Sequence, residues 1–306
     1  MSTVIYTNMA SEVAQKNLLG AQNSLATSVE RLSSGLRINR ARDDAAGLSV
    51  ANSLTSQING ANQGIRNLND AISMVQTAEG AITAASDMGQ RILTLATQAA
   101  NNTLSPAART AINNEMKELV SAINSIGSRT KYAGNSLLVN SLDAADVVGG
   151  TAATGTQFSM QISNDSSDKV LLLVSAFRSI GTAGSDTDAN ATDDGQATAL
   201  SAAIDAAGTA NTADSYGAVQ SAASTYVGRL DTQRSLLGAY QNRLEYTLSN
   251  ITSLSTNLTA SRSRVIDTDY AAETADLTRN QILQQAATAM LAQANQMPNV
   301  ILTLLK

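Results

Sequence analysis

Apolar residues recur along this chain at a spacing that belongs to packed helices. Near the start they fall at Ala14, Leu18, Ala21, Leu25 and, past Ser28, Leu32, in alternating steps of 4 and 3. Near the end, Leu283, Ala287, Met290, Ala294, Met297, Ile301 and Leu304 repeat that alternation. A 3.5-residue repeat marks a coiled-coil seam, so two matching seams at opposite ends predict that the termini pair. The alternative is two ordinary amphipathic helices on a globular core, but few charges mark a solvated far face. Small Ala positions allow close approach, and Met fills gaps between partners. Pro298 should kink or end the last helix unless it opens a new one. Helices of this kind are expected to be marginal alone and to fold when neighbours bury them.

Between the ends the same period returns at greater length. Ser33–Asp44 interrupts it with Gly35 and gathers Arg37, Arg40 and Arg42, after which Asp43 or Asp44 can cap a new helix. The arginines could hold an anion, but neighbouring acids favour ion pairing between helices or subunits. Ala51, Leu54, Ile58, Ala61, Ile65, Leu68, Ile72 and Val75 then alternate without a fault. Ala78, Ile82, Ala85, Met88, Ile92, Leu95 and Ala99 continue after a phase adjustment. A helix from Ala45 to Gln98 would be about 80 Å long at ~1.5 Å per residue, which suits a bundle or fibre.

Ser105-Pro106 reads as an N-cap followed by proline at the first helical position. Ile112, Met116, Leu119, Ile123 and Ile126 form the seam of a shorter helix ending near Gly127. The alternation of Phe158, Met160 and Ile162, the turn residues Asn164–Asp168 and the apolar run Val170–Val174 predict a β-hairpin. Gly181–Asp214 is rich in Ala, Gly, Thr, Asp and Asn and reads as an exposed excursion, with room for a short helix near Ala199–Ala207. Heptads resume at Leu237, Tyr240, Leu244, Thr247, Ile251, Leu254, Leu258, Ser261 and Val265, in a helix starting near Ser215. The fold class is therefore mainly α: a long antiparallel helical bundle or coiled coil, a small β-hairpin region at one end, and paired N- and C-termini.

Composition narrows what such a bundle can do. Of 306 residues 43% are hydrophobic but only 3% aromatic, so the apolar content is mostly Ala, Leu, Ile and Val. Only 15% are charged, against about 25% in ordinary domains, which suits surfaces buried against other copies. The absence of Cys and His excludes thiol nucleophiles, Ser-His triads, disulfides and zinc sites of the usual kind. No cofactor or metal is expected. The net charge of −5 argues against a nucleic-acid-binding surface. The first 15 residues lack the basic start and apolar run of a cleavable secretory signal, and no stretch reads as membrane-spanning. An enzyme is not expected.

Several segments are specific enough to carry a family resemblance. Arg31–Asn39 (RLSSGLRIN), Arg40–Asn52 (RARDDAAGLSVAN), Leu237–Thr247 (LGAYQNRLEYT), Ser261–Thr274 (SRSRVIDTDYAAET) and Ile282–Lys306 resemble those of bacterial flagellins. The resemblance covers roughly Met1–Asn140 and Leu230–Lys306, and the chain lacks the extra outer domains of larger members. It implies a subunit that polymerises into the helical flagellar filament for swimming. A hook-filament junction protein or a minor flagellin is the alternative. It also implies a terminal coiled-coil inner domain of residues 1–43 with 270–306. A rod-like bundle with hairpin would span 44–180 with 215–269, and 181–214 would be a short exposed variable segment.

Further expectations follow from the resemblance. The polymerising seam would use Leu18, Leu25, Leu32, Leu283, Met290, Met297, Ile301 and Leu304. Partners would be other copies of the chain, the cap and hook-filament junction proteins and an export chaperone, with no nucleic acid and no membrane. Family members leave unfolded through the flagellar type III apparatus, which places the protein outside the cell. Arg91, Leu95 and Glu115 match the residues by which many flagellins are recognised by an innate immune receptor, whereas Leu93 and Thr94 depart from the Arg-Glu pair of strongly recognised members. The alternative is that Leu95 belongs to the seam while Arg91 and Glu115 serve axial packing between subunits. Ser and Thr between Thr182 and Thr212 are candidates for O-glycosylation, or simply an unmodified polar loop.

Overall fold

The computed structural model describes residues 8–138, 155–175 and 195–304. Six helices carry most of these: α1 (Met9–Ser34), α2 (Ala45–Ala99), α3 (Pro106–Arg129), α4 (Gly195–Ala210), α5 (Tyr216–Ile266) and α6 (Tyr270–Leu304). Two antiparallel hairpins complete the fold: β1 (Lys131–Tyr132) with β2 (Asn135–Ser136), and β3 (Gly155–Gln161) with β4 (Lys169–Ser175). The protein is mainly α, as its periodicity indicated. The chain divides into two compact units. A terminal unit holds residues up to Ile58 and from Ser255 onward, and a central unit holds Asn59–Leu254. The long helices α2 and α5 contribute to both.

In the terminal unit α1 runs antiparallel to α6: Asn8 meets Ala294, and Arg31 meets Glu273. Gly35 ends α1 with a φ of 71°, and its N–H donates to the Arg31 carbonyl at 2.9 Å. A side chain there would be strained by that φ and would meet the Tyr270 hydroxyl at 2.9 Å, so glycine is required twice over. Two backbone bonds join the connections at this end, Arg37 N–H to Ile266 O at 2.6 Å and Thr268 N–H to Gly35 O at 3.0 Å. Asp44 is the cap of α2, accepting from the Gly47 N–H at 2.8 Å. Asp43 turns back instead, accepting from the amides of Arg40 at 2.9 Å and Asn39 at 3.1 Å. The Arg40 amide is the main reason its carboxyl lies below the usual range. The Asn39 amide and the charges of Arg42 and Arg31 add to this against an opposing desolvation.

The central unit is built around a continuous core. Leu68, Ile82, Ile92 and Leu95 of α2, Met116 and Ile123 of α3, and Tyr216, Leu230 and Leu244 of α5 are buried in it. On α5 the buried residues Tyr216, Ala223, Leu230, Leu237, Leu244 and Ile251 lie one heptad apart, whereas Leu254 is exposed. From Gly64 onward α2 buries more than one stripe, adding Ala71, Met74, Ser86, Gly89 and Ala96, because several elements surround it. The β3–β4 hairpin pairs Gly155 with Ser175 through Gln161 with Lys169. Its turn rests on α2 at Gly60 and Gly64, where an added Cβ would collide with Asn164 and with the Ile162 carbonyl. The Asn67 side chain, on the same face, donates to Gln161 O at 2.8 Å.

Helix ends in this unit are fixed by named side chains. Ser105 caps α3, accepting from the Ala108 N–H at 3.3 Å, with Pro106 at the first helical position as its sequence indicated. Buried Arg109 donates to Ala99 O at 3.2 Å and Asn101 O at 3.1 Å, satisfying carbonyls left open at the end of α2. The β1–β2 turn places Ala133 at φ 49° and Gly134 at φ 88°, the two positive values of a tight hairpin turn.

Two readings are corrected. Composition marked 181–214 as exposed, yet α4 buries Leu200, Ile204 and Ala207 fully and bonds to α3 by an ion pair of 2.7 Å between Asp205 and Lys117. The steps from 200 to 204 to 207 give one apolar stripe, which the surrounding Ala, Gly and Thr conceal in a composition count. The rest of that excursion, through residue 194, lies outside the described residues, as do the hydroxyls there that were candidates for glycosylation. Pro298 neither ends nor restarts the last helix, because α6 runs through it to Leu304.

Candidate assembly surface

The α1–α6 pair is held at close quarters by small side chains. Ala14, Ala21 and Ser28 are buried on α1 exactly one heptad apart, and Ala294 is buried on α6. Leu18, Leu25 and Leu32 lie beside them half-buried, as a seam requires. On α6 the half-buried positions among the described residues are Asp276, Leu277, Asn280, Gln284, Ala287 and Leu291, so Ala287 and Ala294 lie on the line the heptads indicated. Leu283 and Met290 do not. They stand 50% and 64% exposed, because the seam rolls about the alanine line and turns them outward. Met297, Ile301 and Leu304 continue α6, and their side chains lie outside what is described.

Charge and polarity fix the register of this pair. Glu273, 7% exposed, faces Arg31 at 3.6 Å near one end. Near the other, Ser11 Oγ donates to Asn295 Oδ1 at 2.9 Å. Arg40 pairs with Glu30 at 2.7 Å, Arg42 faces Asp43 at 3.7 Å, and the Arg37 guanidinium donates to Val265 O at 2.6 Å. The arginine cluster is therefore engaged within the chain.

Between α1 and α6 runs a groove of about 720 Å³ whose wall includes Val13, Ala14, Gly20, Leu283, Ala287 and Met290. Met9, Leu19, Val29 and Ile282 are also exposed on these two helices. From Asn280 to Leu305 the sequence has no charged residue. Fixing one backbone residue costs ~1–2 kcal/mol, and a buried alanine methyl returns about 1 kcal/mol or less. Two helices whose buried apolar residues are alanines, with leucines only half-covered beside them, therefore gain little from each other alone. Burying Leu283 and Met290 fully would add ~1.5–3 kcal/mol each.

The second candidate site lies in the central unit. Arg91 and Glu115 are brought together across α2 and α3 in an exposed ion pair of 2.8 Å. Leu95, on the next turn of α2, is 2% exposed and belongs to the core. Among the described residues no group of three His, Cys, Asp or Glu could hold a metal ion. No described helix is long and apolar enough to cross a membrane. Burial pushes the phenol of Tyr226 upward, and its hydroxyl has no hydrogen-bond partner.

Long heptad helices, a continuous central core and paired terminal helices with apolar surface left uncovered define a helical structural subunit. Residues 5–142 match the N-terminal helical region of bacterial flagellin, and residues 220–305 match its C-terminal helical region. The chain belongs to the bacterial flagellin family. It is 34% identical to polar flagellin F of Vibrio parahaemolyticus over 377 aligned residues, covering 100% of both chains. It is likewise 34% identical to flagellin D of Vibrio cholerae over 389, again covering 100% of both. The crystal structure of Bacillus cereus flagellin is similar over 64% of this chain and 94% of that one, at 25% identity and a TM-score of 0.43.

Nothing in the heptad pattern marks Arg109, Gly64 or Asn8, each of which makes contacts far along the chain. An arginine in the first turn after the Ser105-Pro106 break and a glycine inside a helix are the only signals the first two leave in the sequence. Asn8 leaves only its place before the first helix.

Proposed function

We propose that copies of this chain polymerise through the α1–α6 face, and that the terminal helices order as they are buried by neighbours. The protein is a structural subunit of the bacterial flagellar filament, and the full-length match to filament flagellins does not favour a junction protein. One observation carries the assembly reading: the apolar residues buried between the terminal helices are alanines, while Leu19, Ile282, Leu283 and Met290 stand uncovered. Repetition of such a head-to-tail contact, with a rotation that does not close, gives an open helical tube. Residues 1–43 with 270–306 form the inner domain in this reading, and 44–180 with 215–269 the rod, with 181–214 between. The breaks between α1 and α2 and between α5 and α6 support these boundaries. Export as an unfolded chain with a chaperone, and growth beneath a cap from a hook-filament junction, complete the reading.

The test is far-ultraviolet circular dichroism of soluble chain and of filaments grown from seeds. Filaments should show more helix per residue, and equal helicity would remove the coupled-folding step. The protein acts structurally in this reading, so incubation with generic peptides should give no turnover.

The exposed Arg91–Glu115 pair supports a second reading, contact with an innate immune receptor. Leu95 then acts by holding the helix pair in place, since it is buried. A receptor reporter assay on Arg91→Ala and Glu115→Ala chains should show reduced activity, and unchanged activity from both would remove this assignment.

A further inference from the structure

Pro298 has no N–H, so the helical bond that residue 298 would donate to the Ala294 carbonyl is missing. The chain nonetheless remains helical from Tyr270 to Leu304. The Asn8 side chain supplies the donor, since its Nδ2 reaches that same Ala294 oxygen at 2.8 Å. Its other atom, Oδ1, accepts from the Ser11 N–H at 3.2 Å and caps α1. One carboxamide thus serves two helices, its oxygen closing the start of α1 and its nitrogen repairing the gap that proline leaves in α6. Asparagine alone suits both tasks. Aspartate has no donor, and serine caps equally well but is too short to reach across as well.

We propose that Asn8 is a positioning residue for assembly, locking the start of α1 to the last turns of α6 so that the two order together. This rests on the assembly reading and deepens it. The alanine line alone does not fix the register, because Ala14 and Ala21 are interchangeable as seam residues. Pro298 is the one proline of α6 and leaves one interior carbonyl without its helical donor, so the amide that satisfies it acts with the Arg31–Glu273 pair to set the register. The Ser11–Asn295 bond one turn further on holds the same alignment.

The experiment is a double-mutant cycle on the full chain. Asn8→Ser keeps the cap and loses the bridge, whereas Pro298→Ala restores an N–H within α6 and makes the bridge unnecessary. Asn8→Ser should raise the monomer concentration needed for seeded elongation by about tenfold, the loss expected for a carbonyl left unsatisfied. In the Pro298→Ala background the same change should raise it by less than about twofold. Hydrogen exchange of the amides of residues 299–304 in filaments should quicken with Asn8→Ser and recover in the double variant. Equal effects of Asn8→Ser in both backgrounds would overturn the proposal and leave Asn8 as a cap alone. Failure of the parent chain to elongate seeds would overturn the assembly reading instead. The clamp is then read from the helix content of the same four chains, where strictly additive losses would overturn it.

Discussion

The two units of this chain are both helical and both heptad-patterned, yet they bury different things. The central unit encloses Leu68, Ile82, Met116, Leu200 and Tyr216, large side chains drawn from four helices. The α1–α6 pair of the terminal unit encloses Ala14, Ala21, Ser28, Glu273 and Ala294, and leaves Leu19, Ile282, Leu283 and Met290 in the open. Charge follows the same division. The residues up to Ile58 and from Ser255 onward include nine basic and eight acidic, whereas Asn59–Leu254 has eleven and seventeen. The acidity of the chain therefore resides in the unit with its own core, and the near-neutral unit can approach copies of itself without net repulsion. A 3.5-residue repeat alone does not distinguish the two. What separates them is whether the large residues of the repeat find partners within the chain.

The sharpest way to break that comparison is to delete the N-terminus through Leu32. Elongation of seeds should be abolished, while the central unit keeps a cooperative thermal transition followed by circular dichroism. Loss of that transition would show that the central core depends on the terminal helices. Next in size, Ile82→Ala should lower the stability of the central unit by about 2–5 kcal/mol in denaturant titration. Met290→Ala in the terminal unit should leave that titration unchanged and weaken only assembly, measured as the monomer concentration left in equilibrium with filaments.

A smaller effect tests how the hairpin is seated. Gly64→Ala places a methyl against the Ile162 carbonyl and should destabilise the central unit by about 1–3 kcal/mol, unless the hairpin moves away. Hydrogen exchange of the β3–β4 amides distinguishes these outcomes, because a displaced hairpin loses protection whereas an overpacked one loses global stability. The smallest effect is at Tyr226. Its phenol is held neutral by burial, so the folded form keeps a proton that the unfolded form releases near the ordinary value of 10.0. Stability from this group is complete below that pH and falls as pH rises above it. Tyr226→Phe removes an unpartnered buried hydroxyl, so it should raise stability by about 1 kcal/mol at neutral pH and flatten the alkaline loss. Denaturant midpoints of both chains at pH 7 and in the alkaline range read the two effects separately.

Most of the architecture was legible in the residues themselves. The bounds of α2 and α3, the cap at Ser105, the β3–β4 hairpin and the pairing of the ends are local or periodic properties, and periodicity survives in a single sequence. The family followed from contiguous motifs for the same reason. Where the reading failed, the deciding contact lay elsewhere in the chain. Leu200 and Ile204 look like part of an exposed excursion until α3 is set beside them. Leu283 and Met290 have the right spacing for the seam, but one residue of spacing is about 100° of rotation around a helix. The alanines on the facing helix decided which flank turned inward. Pro298 reads as a break until the Asn8 amide is seen on the carbonyl it leaves open.

The sequence by itself determined the helices, their period, their caps and the family, because these depend on neighbours along the chain and on composition. The tertiary structure decided which apolar residues are covered and which remain for other copies, because that depends on the rotation of packed helices about their axes. It also decided which polar side chains close gaps in distant helices, since a hydrogen bond is fixed by position in space and leaves no period to read.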